Sequence, residues 1–218
     1  MTRNISFASE EIYHLYNRGT EKRKIFLNKK DYDRFLALLF ICNSDKVLHL
    51  SDWQGSTLPK IFEIEKGLPI VKICAYCLMP NHFHLLLKET NAGNISKFMQ
   101  KLITAYTMYF NKKYERSGAL FQGKFKAQHA DTDNYLKYLL AYIHLNPLKI
   151  KDPEIKAIKN KEESKTFLHD YSYSSFLDYI DINRPEQTIL EMDALPKYFE
   201  TSLEFEESIF DWIKIPKE

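Results

Sequence analysis

Apolar and polar positions along the chain change period several times, and each change marks an element. EIYHLYNRG (11–19) alternates well enough for a strand and stops at Gly19. DYDRFLALLFICN (31–43) follows the helical period, with Phe35, Leu38, Leu39 and Cys42 on one face. Residues 43–68 are mixed, hold Gly55, Pro59 and Gly67, and read as loop with one short strand. PIVKICAYCLM (69–79) and HFHLLLKE (82–89) are dense strands joined by a tight Pro80-Asn81 turn. ISKFMQKLITAYTMYFNKKYE (95–115) predicts a long helix whose inner face is Ile95, Phe98, Met99, Leu102, Tyr106 and Phe110. LFQGKFKAQHA (120–130) reads as a strand. Asp131 or Thr132 then caps a helix over DNYLKYLLAYIHLN, which Pro147 stops. Helical pieces follow near 152–162, 172–180 and 203–213. The order β-α-β-β-α-β-α predicts an α+β sandwich, an antiparallel sheet with helices on its faces.

With 218 residues, 44% of them hydrophobic, the chain can bury a sizeable core. The reading is one globular body over 1–150 with an acidic helical extension over 151–218 packed on it. No stretch approaches the roughly 18 consecutive apolar residues of a membrane span, so no membrane partner is expected. Cys42, Cys74 and Cys77 form an odd set without metal-finger partners; in a regular strand Cys74 and Cys77 would face opposite sides. Reduced structural thiols in a cytoplasmic protein are the expectation.

Charge is unevenly placed. Residues 1–150 carry 22 Lys and Arg against 13 Asp and Glu, a balance of +9, and residues 151–218 carry 9 against 16, a balance of −7. A polyanion-binding body with an acidic end fits this pattern. Lys97, Lys101, Lys112, Lys113, Arg116, Lys124 and Lys126 face Glu115 alone within 97–126, and Arg18, Lys22, Arg23 and Lys24 form a second basic group. Tyr109, Tyr114, Phe121 and Phe125 lie among these charges, as stacking or core residues.

His82 and His84 in MPNHFHLLLKE are two apart on a strand, so both imidazoles face one side and Phe83 the other. Two neutral imidazoles so placed can converge on one divalent cation, although a structural pair fits the same spacing. In YIHLNP, Tyr142 and Asn146 are four apart at the end of a helix and share a face. An amide oxygen suits a hard cation, and a tyrosine one turn away would keep its hydroxyl nearby. By spacing alone Tyr142 fits a core aromatic equally well, and Tyr138 lies one turn earlier.

YHLYNRG, AYCLMPNHFHLLLKE, SGALFQGKFKAQHADTDNYLKYLLAYIHLNP and YSYSSF together resemble the REP-associated tyrosine transposases, a branch of the single-tyrosine HUH transposases. The likeness runs from about residue 11 to about 180. It implies a ferredoxin-like fold with a central antiparallel sheet. It also implies His82, His84 and Asn146 as ligands of Mg²⁺ or Mn²⁺, with Tyr142 as the nucleophile. The partner it implies is single-stranded or hairpin DNA of a repetitive palindromic element, in a cytoplasmic, nucleoid-associated setting. Arg18, Arg23, Lys24, Lys101, Lys112, Lys113, Arg116, Lys124 and Lys126 would then track the DNA backbone. His14, His49, His129, His144 and His169 have no same-face partner in sequence and read as structural or DNA-contacting. The rival readings are a non-catalytic hairpin-binding relative and an unrelated hydrolase that uses Glu89 beside the histidines.

Overall fold

The computed structural model describes residues 6–53, 55–152 and 161–212. Strand β1 (Ile12–Arg18) leads into helix α1 (Lys29–Cys42), and the short helix α2 (Leu58–Phe62) precedes the hairpin of β2 (Val71–Met79) and β3 (His82–Glu89). Helix α3 (Asn94–Lys113) returns to β4 (Lys126–His129), and α4 (Asp133–Leu145) follows. The rest holds α5 (Lys161–Asp170), α6 (Phe176–Tyr179) and α7 (Ser202–Asp211).

The four strands stand in the order β2-β3-β1-β4, each antiparallel to its neighbours, which is the ferredoxin-like arrangement expected. Period-two alternation divides the side chains between two cores. Tyr13, Leu15, Phe83, Leu85 and Leu87 pack with α1 and α3 on one face. Cys77, Met79 and Leu86 pack with Leu136, Leu139, Leu140 and Ile143 of α4 on the other. β2 is an edge strand, and the segment after α5 covers it. Leu78 N donates to Tyr173 O at 2.9 Å, Tyr76 N to Ser175 Oγ at 2.9 Å, and Cys77 bridges Ser174. Arg184, ion-paired with the buried Asp178, also reaches the carbonyl of Ser174 and holds that segment down. Farther along, α7 and Phe176 close over Ala141 and Leu145 of α4.

Several details depart from the sequence pattern. A β-bulge between Ile73 and Ala75 adds one residue to β2, so Cys74 and Cys77 both enter the α4-side core instead of facing opposite sides. Both are free and buried, as is Cys42. The strand expected over 120–130 pairs only at Lys126–His129; Gly123 at φ +72° breaks it, and Phe121 makes a single bridge to Gly19. No strand forms in 43–68 among the described residues. The buried Asn43 side chain ties that segment down, bonding Ile70 N at 2.9 Å and Val71 N and O at 3.0 Å. The helix expected over 152–162 falls largely on 153–160, outside the described residues, and α5 runs from Lys161. Within 172–180 the only helix is α6. Among the described residues no helix is long and apolar enough to cross a membrane.

Helices α1 and α3 are joined by a buried carboxylate. Asp31 accepts from Leu27 N (2.8 Å), Tyr109 Oη (2.9 Å), Tyr114 Oη (2.8 Å) and Lys113 Nζ (2.6 Å). Burial disfavours its charge, but Lys113 and the other donors outweigh that and hold its pKa below the usual value. Asp31→Ala removes the acceptor and leaves a half-buried ammonium and two phenols without it. Urea unfolding of Asp31→Ala should show a loss of about 3–5 kcal/mol; a loss under about 1 kcal/mol would mean that the cluster does not hold the two helices together.

Candidate active site

Strand β3 turns His82, His84 and Leu86 toward α4. The β1–β3 register sets Arg18 opposite His82, Tyr16 opposite His84 and His14 opposite Leu86, so these three also face α4. Gly19 ends β1 where no side chain fits: a Cβ there would stand 2.4 Å from the Arg23 carbonyl oxygen. On the other side Thr132 caps α4, its hydroxyl accepting from Tyr135 N at 3.2 Å. Leu136, Leu139, Leu140 and Ile143 anchor the helix to the sheet, which leaves Tyr135, Tyr138 and Tyr142 half-buried along its flank. Asn146 and Pro147 open the 3-10 turn that ends the helix, and Asn146 is buried there.

His84 Nδ1 lies 2.8 Å from His14 Nε2, with the two rings stacked at 5.0 Å. His82 Nδ1 lies 2.6 Å from Asn81 Oδ1, and its ring stands at 88° to that of His84, 5.0 Å away. The Tyr142 ring meets His84 edge-on at 5.3 Å and His14 at 5.9 Å. Lys149 Nζ sits 4.2 Å over the Tyr142 ring. Asn146 faces His82 and donates to the Tyr142 carbonyl at 3.3 Å.

Burial pushes the His82 pKa down to about 4, with Arg18 and Lys149 adding to the shift and Asn146 opposing it. Burial likewise takes His14 to about 4, with Gln128 opposing. His84 falls well below its usual value through burial and then through His14 and His82. All three imidazoles are therefore neutral at neutral pH, with lone pairs to offer. A hydrogen bond between two neutral rings needs one donor and one acceptor. If His84 Nδ1 carries the proton, its Nε2 is bare.

Among the described residues, three buried side-chain atoms of the site have no hydrogen-bond partner: His14 Nδ1, His84 Nε2 and Asn146 Oδ1. With His82 beside Asn146, the last two make a nitrogen–nitrogen–oxygen donor set that fits a divalent cation. No group of three His, Cys, Asp or Glu suited to a metal occurs among the described residues, so the amide oxygen is needed to complete the set. Beside Tyr142 a cavity of about 350 Å³ opens between His14, Tyr16 and Gln128 of the sheet and Tyr135, Tyr138 and Tyr142 of α4. A hollow of about 590 Å³ at Asn183–Thr188 contains none of these residues.

The structure thus brings His82, His84, Tyr142 and Asn146 together, and divides the nine basic residues. Arg18 is exposed next to His82, and Lys126 is exposed on β4 with its Nζ 5.9 Å from the Tyr16 ring. Lys124 is exposed just before β4, and Arg23 and Lys24 follow the end of β1, Arg23 with Glu21 at 3.8 Å. Lys113 is bound to Asp31, Lys101 donates to the Ser44 carbonyl at 2.9 Å, and Arg116 donates to Asn111 at 2.9 Å. Those three and Lys112 belong to α3 or the turn after it, and α3 packs on the far face of the sheet from the imidazoles. The run 97–126 is therefore not one surface.

Four histidines expected to stand apart have partners. His14 pairs with His84, His144 with Ser175 at 2.8 Å, His129 with Glu11 at 2.7 Å and His169 with Glu206 at 2.8 Å. His14, which the sequence places only as a structural or DNA-contacting histidine, and Lys149, which carries no signal in sequence, both stand in this cluster. The signal for His14 was the alternation in IYHLYNR, usable only once β1 and β3 were known to be neighbours. Glu89 caps α3, accepting from Ile95 N at 3.1 Å, and is not part of the cluster, which removes the carboxylate the hydrolase reading required.

Residues 9–146 match the family model described as "Transposase IS200 like". Nine solved chains also match, among them "Structure of the REP associates tyrosine transposase bound to a REP hairpin". That likeness has a TM-score of 0.52 at 10% identity, over 85% of this chain and 90% of the other, and shows the fold. No curated protein matches.

Depressed histidine pKa values link stability to pH. Unfolded imidazoles bind protons below about 6.5, whereas folded His14 and His82 bind them only near 4 and His144, pushed down by burial, near 3. The unfolded state gains protons first, so stability is full above about pH 6.5 and falls as pH drops toward 4. Urea midpoints measured in chelator should decline between pH 7 and pH 4.5. A flat midpoint across that window would show that these rings are not held neutral by the fold.

Proposed function

This chain belongs to the IS200-like transposase family, and we propose that it cuts and rejoins single-stranded or hairpin DNA through a 5′-phosphotyrosine at Tyr142. The observation carrying this reading is one shared space. Strand β3 supplies His82 and His84, α4 supplies Tyr142 with its ring 5.3 Å from His84, and Asn146 one turn later faces His82. Among the unpartnered buried atoms of the described residues, His84 Nε2 and Asn146 Oδ1 both lie at that space, which supports reading it as a ligand site.

Mg²⁺ or Mn²⁺ held by His82, His84 and Asn146 would neutralise charge on the scissile phosphate and on its leaving 3′-oxygen. Tyr142 Oη attacks phosphorus; the P–O bond to the 3′-oxygen breaks, the P–O bond to tyrosine forms, and the phenolic proton passes to solvent. The 3′-oxygen leaves as a hydroxyl after taking a proton. Lys149 over the Tyr142 ring favours the charge that develops on the phenol oxygen. With His84 Nδ1 as the donor, His14 would orient the His84 ring and leave its Nε2 lone pair free for the cation. Because the phosphotyrosine keeps the bond energy of the phosphodiester, a second 3′-hydroxyl can reverse the step and join a new DNA end.

Arg18 and Lys126 beside the site would meet the DNA backbone. Hairpin DNA as partner is supported by the hairpin-bound state of the similar solved structure. The exposed phosphate the chemistry requires supports a single-stranded cutting site, and the DNA substrate supports a cytoplasmic, nucleoid-associated setting.

Tyr142→Phe removes one hydroxyl and keeps the ring contacts. Incubated with labelled hairpin oligonucleotides and Mn²⁺, it should bind like the parent but give no covalent band on a denaturing gel. Tyr138→Phe should give the band, EDTA should abolish it for every variant, and Asn146→Ala should slow it. If Tyr142→Phe keeps the band while Tyr138→Phe loses it, the nucleophile is Tyr138. Adduct formed in chelator would remove the cation from the reading.

A further inference from the structure

The cavity beside Tyr142 extends away from His82 and Asn146, neither of which lines it. Its two walls are aromatic. On the helix, Tyr135 and Tyr138 are nearly parallel, 6.0 Å apart at 16°, and Tyr138 and Tyr142 follow at 5.9 Å and 32°. On the sheet, the Tyr16 ring stacks on His14 at 5.2 Å and 26°. We infer that this cavity is a subsite for one unstacked nucleobase flanking the scissile phosphate, an assignment that rests on Tyr142 and His84 being the reacting centre.

Three observations separate this from ordinary core packing. Fully buried tyrosines elsewhere satisfy their hydroxyls within the protein: Tyr106 Oη donates to the Ile25 carbonyl at 2.5 Å. Tyr171 and Tyr179, also well covered, donate to the carbonyls of Leu78 at 2.6 Å and Cys74 at 2.8 Å. Tyr16, Tyr135, Tyr138 and Tyr142 are only half-buried, and among the described residues none of their hydroxyls has a hydrogen-bond partner. Next, the volume of about 350 Å³ lies in the range of roughly 300–1,000 Å³ typical of small-molecule sites. Finally, the open edge carries the polar groups that base recognition uses. Gln128 is exposed on β4 opposite His14 and offers an amide donor and acceptor to a base edge. Lys126, two residues earlier on the same face of β4, stands at the rim over Tyr16, where an adjoining phosphate would pass.

A base leaving its stack gives up its stacking energy, and aromatic walls on two sides return it. The flanking nucleotide would thereby hold its own 5′- or 3′-phosphate against His84 and Tyr142. Tyr135 and Tyr16 supply the stack, and Gln128 supplies preference among bases.

The test needs no cleavage. Saturation-transfer NMR on the full chain, in chelator, would compare dAMP, dCMP, dGMP and TMP with 2-deoxyribose 5-phosphate as the base-free probe. At least one mononucleotide should bind ten times or more tightly than the sugar phosphate, with saturation reaching the base protons. Tyr16→Ala and Tyr135→Ala should each weaken that nucleotide about tenfold and leave the sugar phosphate unchanged, while Tyr16→Phe and Tyr135→Phe should bind like the parent. Gln128→Ala, at an exposed position, should alter the ranking of the four nucleotides without affecting folding. Mononucleotides no tighter than the sugar phosphate, or alanine variants that melt normally and bind unchanged, would overturn the subsite. Adduct formation is read separately, so a protein that makes the adduct without base preference loses this assignment and keeps the other, and the converse holds.

Discussion

The register of β1 against β3 is the constraint on which the proposed site depends. It brings His14 within 2.8 Å of His84 across 70 residues of sequence. A slip of one residue in that pairing would turn the His14 side of β1 into the α1–α3 core and present Tyr13 and Leu15 to α4 instead. The leucines and phenylalanines of the other face make such a slip costly. The hydrophobic core on one side of the sheet thus sets the positions of the polar groups on the other.

The two faces of the sheet differ in how completely they are closed. Helices α1 and α3, joined through Asp31, cover one face with a continuous apolar core. On the other face a single helix, α4, is seated by four aliphatic side chains and held from behind by α7 and Phe176. Its tyrosine flank is left beside the imidazoles and not pressed into them. That incomplete cover leaves the cavity of about 350 Å³ beside Tyr142 while burial still holds the pKa of His82 and His84 below the usual imidazole range. The C-terminal segment therefore takes part in the site indirectly, by pinning the edge of β2 and the outer side of α4.

Much of this was legible in the chain. Strands and long helices followed from period and length, and the same local spacing put His82 with His84 and Tyr142 with Asn146, since neighbours two apart on a strand or four apart on a helix share a face whatever the fold. Contacts between elements were not legible in the same way. His14 needed the strand order, and the Lys113–Asp31 pair spans 82 residues, so Lys113 looked like an available surface charge. Regular alternation sets Cys74 and Cys77 on opposite faces, and the β-bulge that brings them together leaves no composition signal in ICAYC. The short β4 reflects Gly123, whose left-handed backbone interrupts a run that otherwise alternates like a strand.

On the proposed reading, one sheet face and one helix register direct chemistry to a single hydroxyl, that of Tyr142. The most direct measurement is the site of covalent attachment. The full chain would be reacted with hairpin oligonucleotides and Mn²⁺, digested with nuclease and trypsin, and analysed by fragment-ion mass spectrometry of the peptide spanning 138–149, which contains both candidate tyrosines. The account predicts a nucleotide phosphate on Tyr142, with Tyr138 unmodified. Attachment at Tyr138, or at a tyrosine outside this peptide, would contradict it.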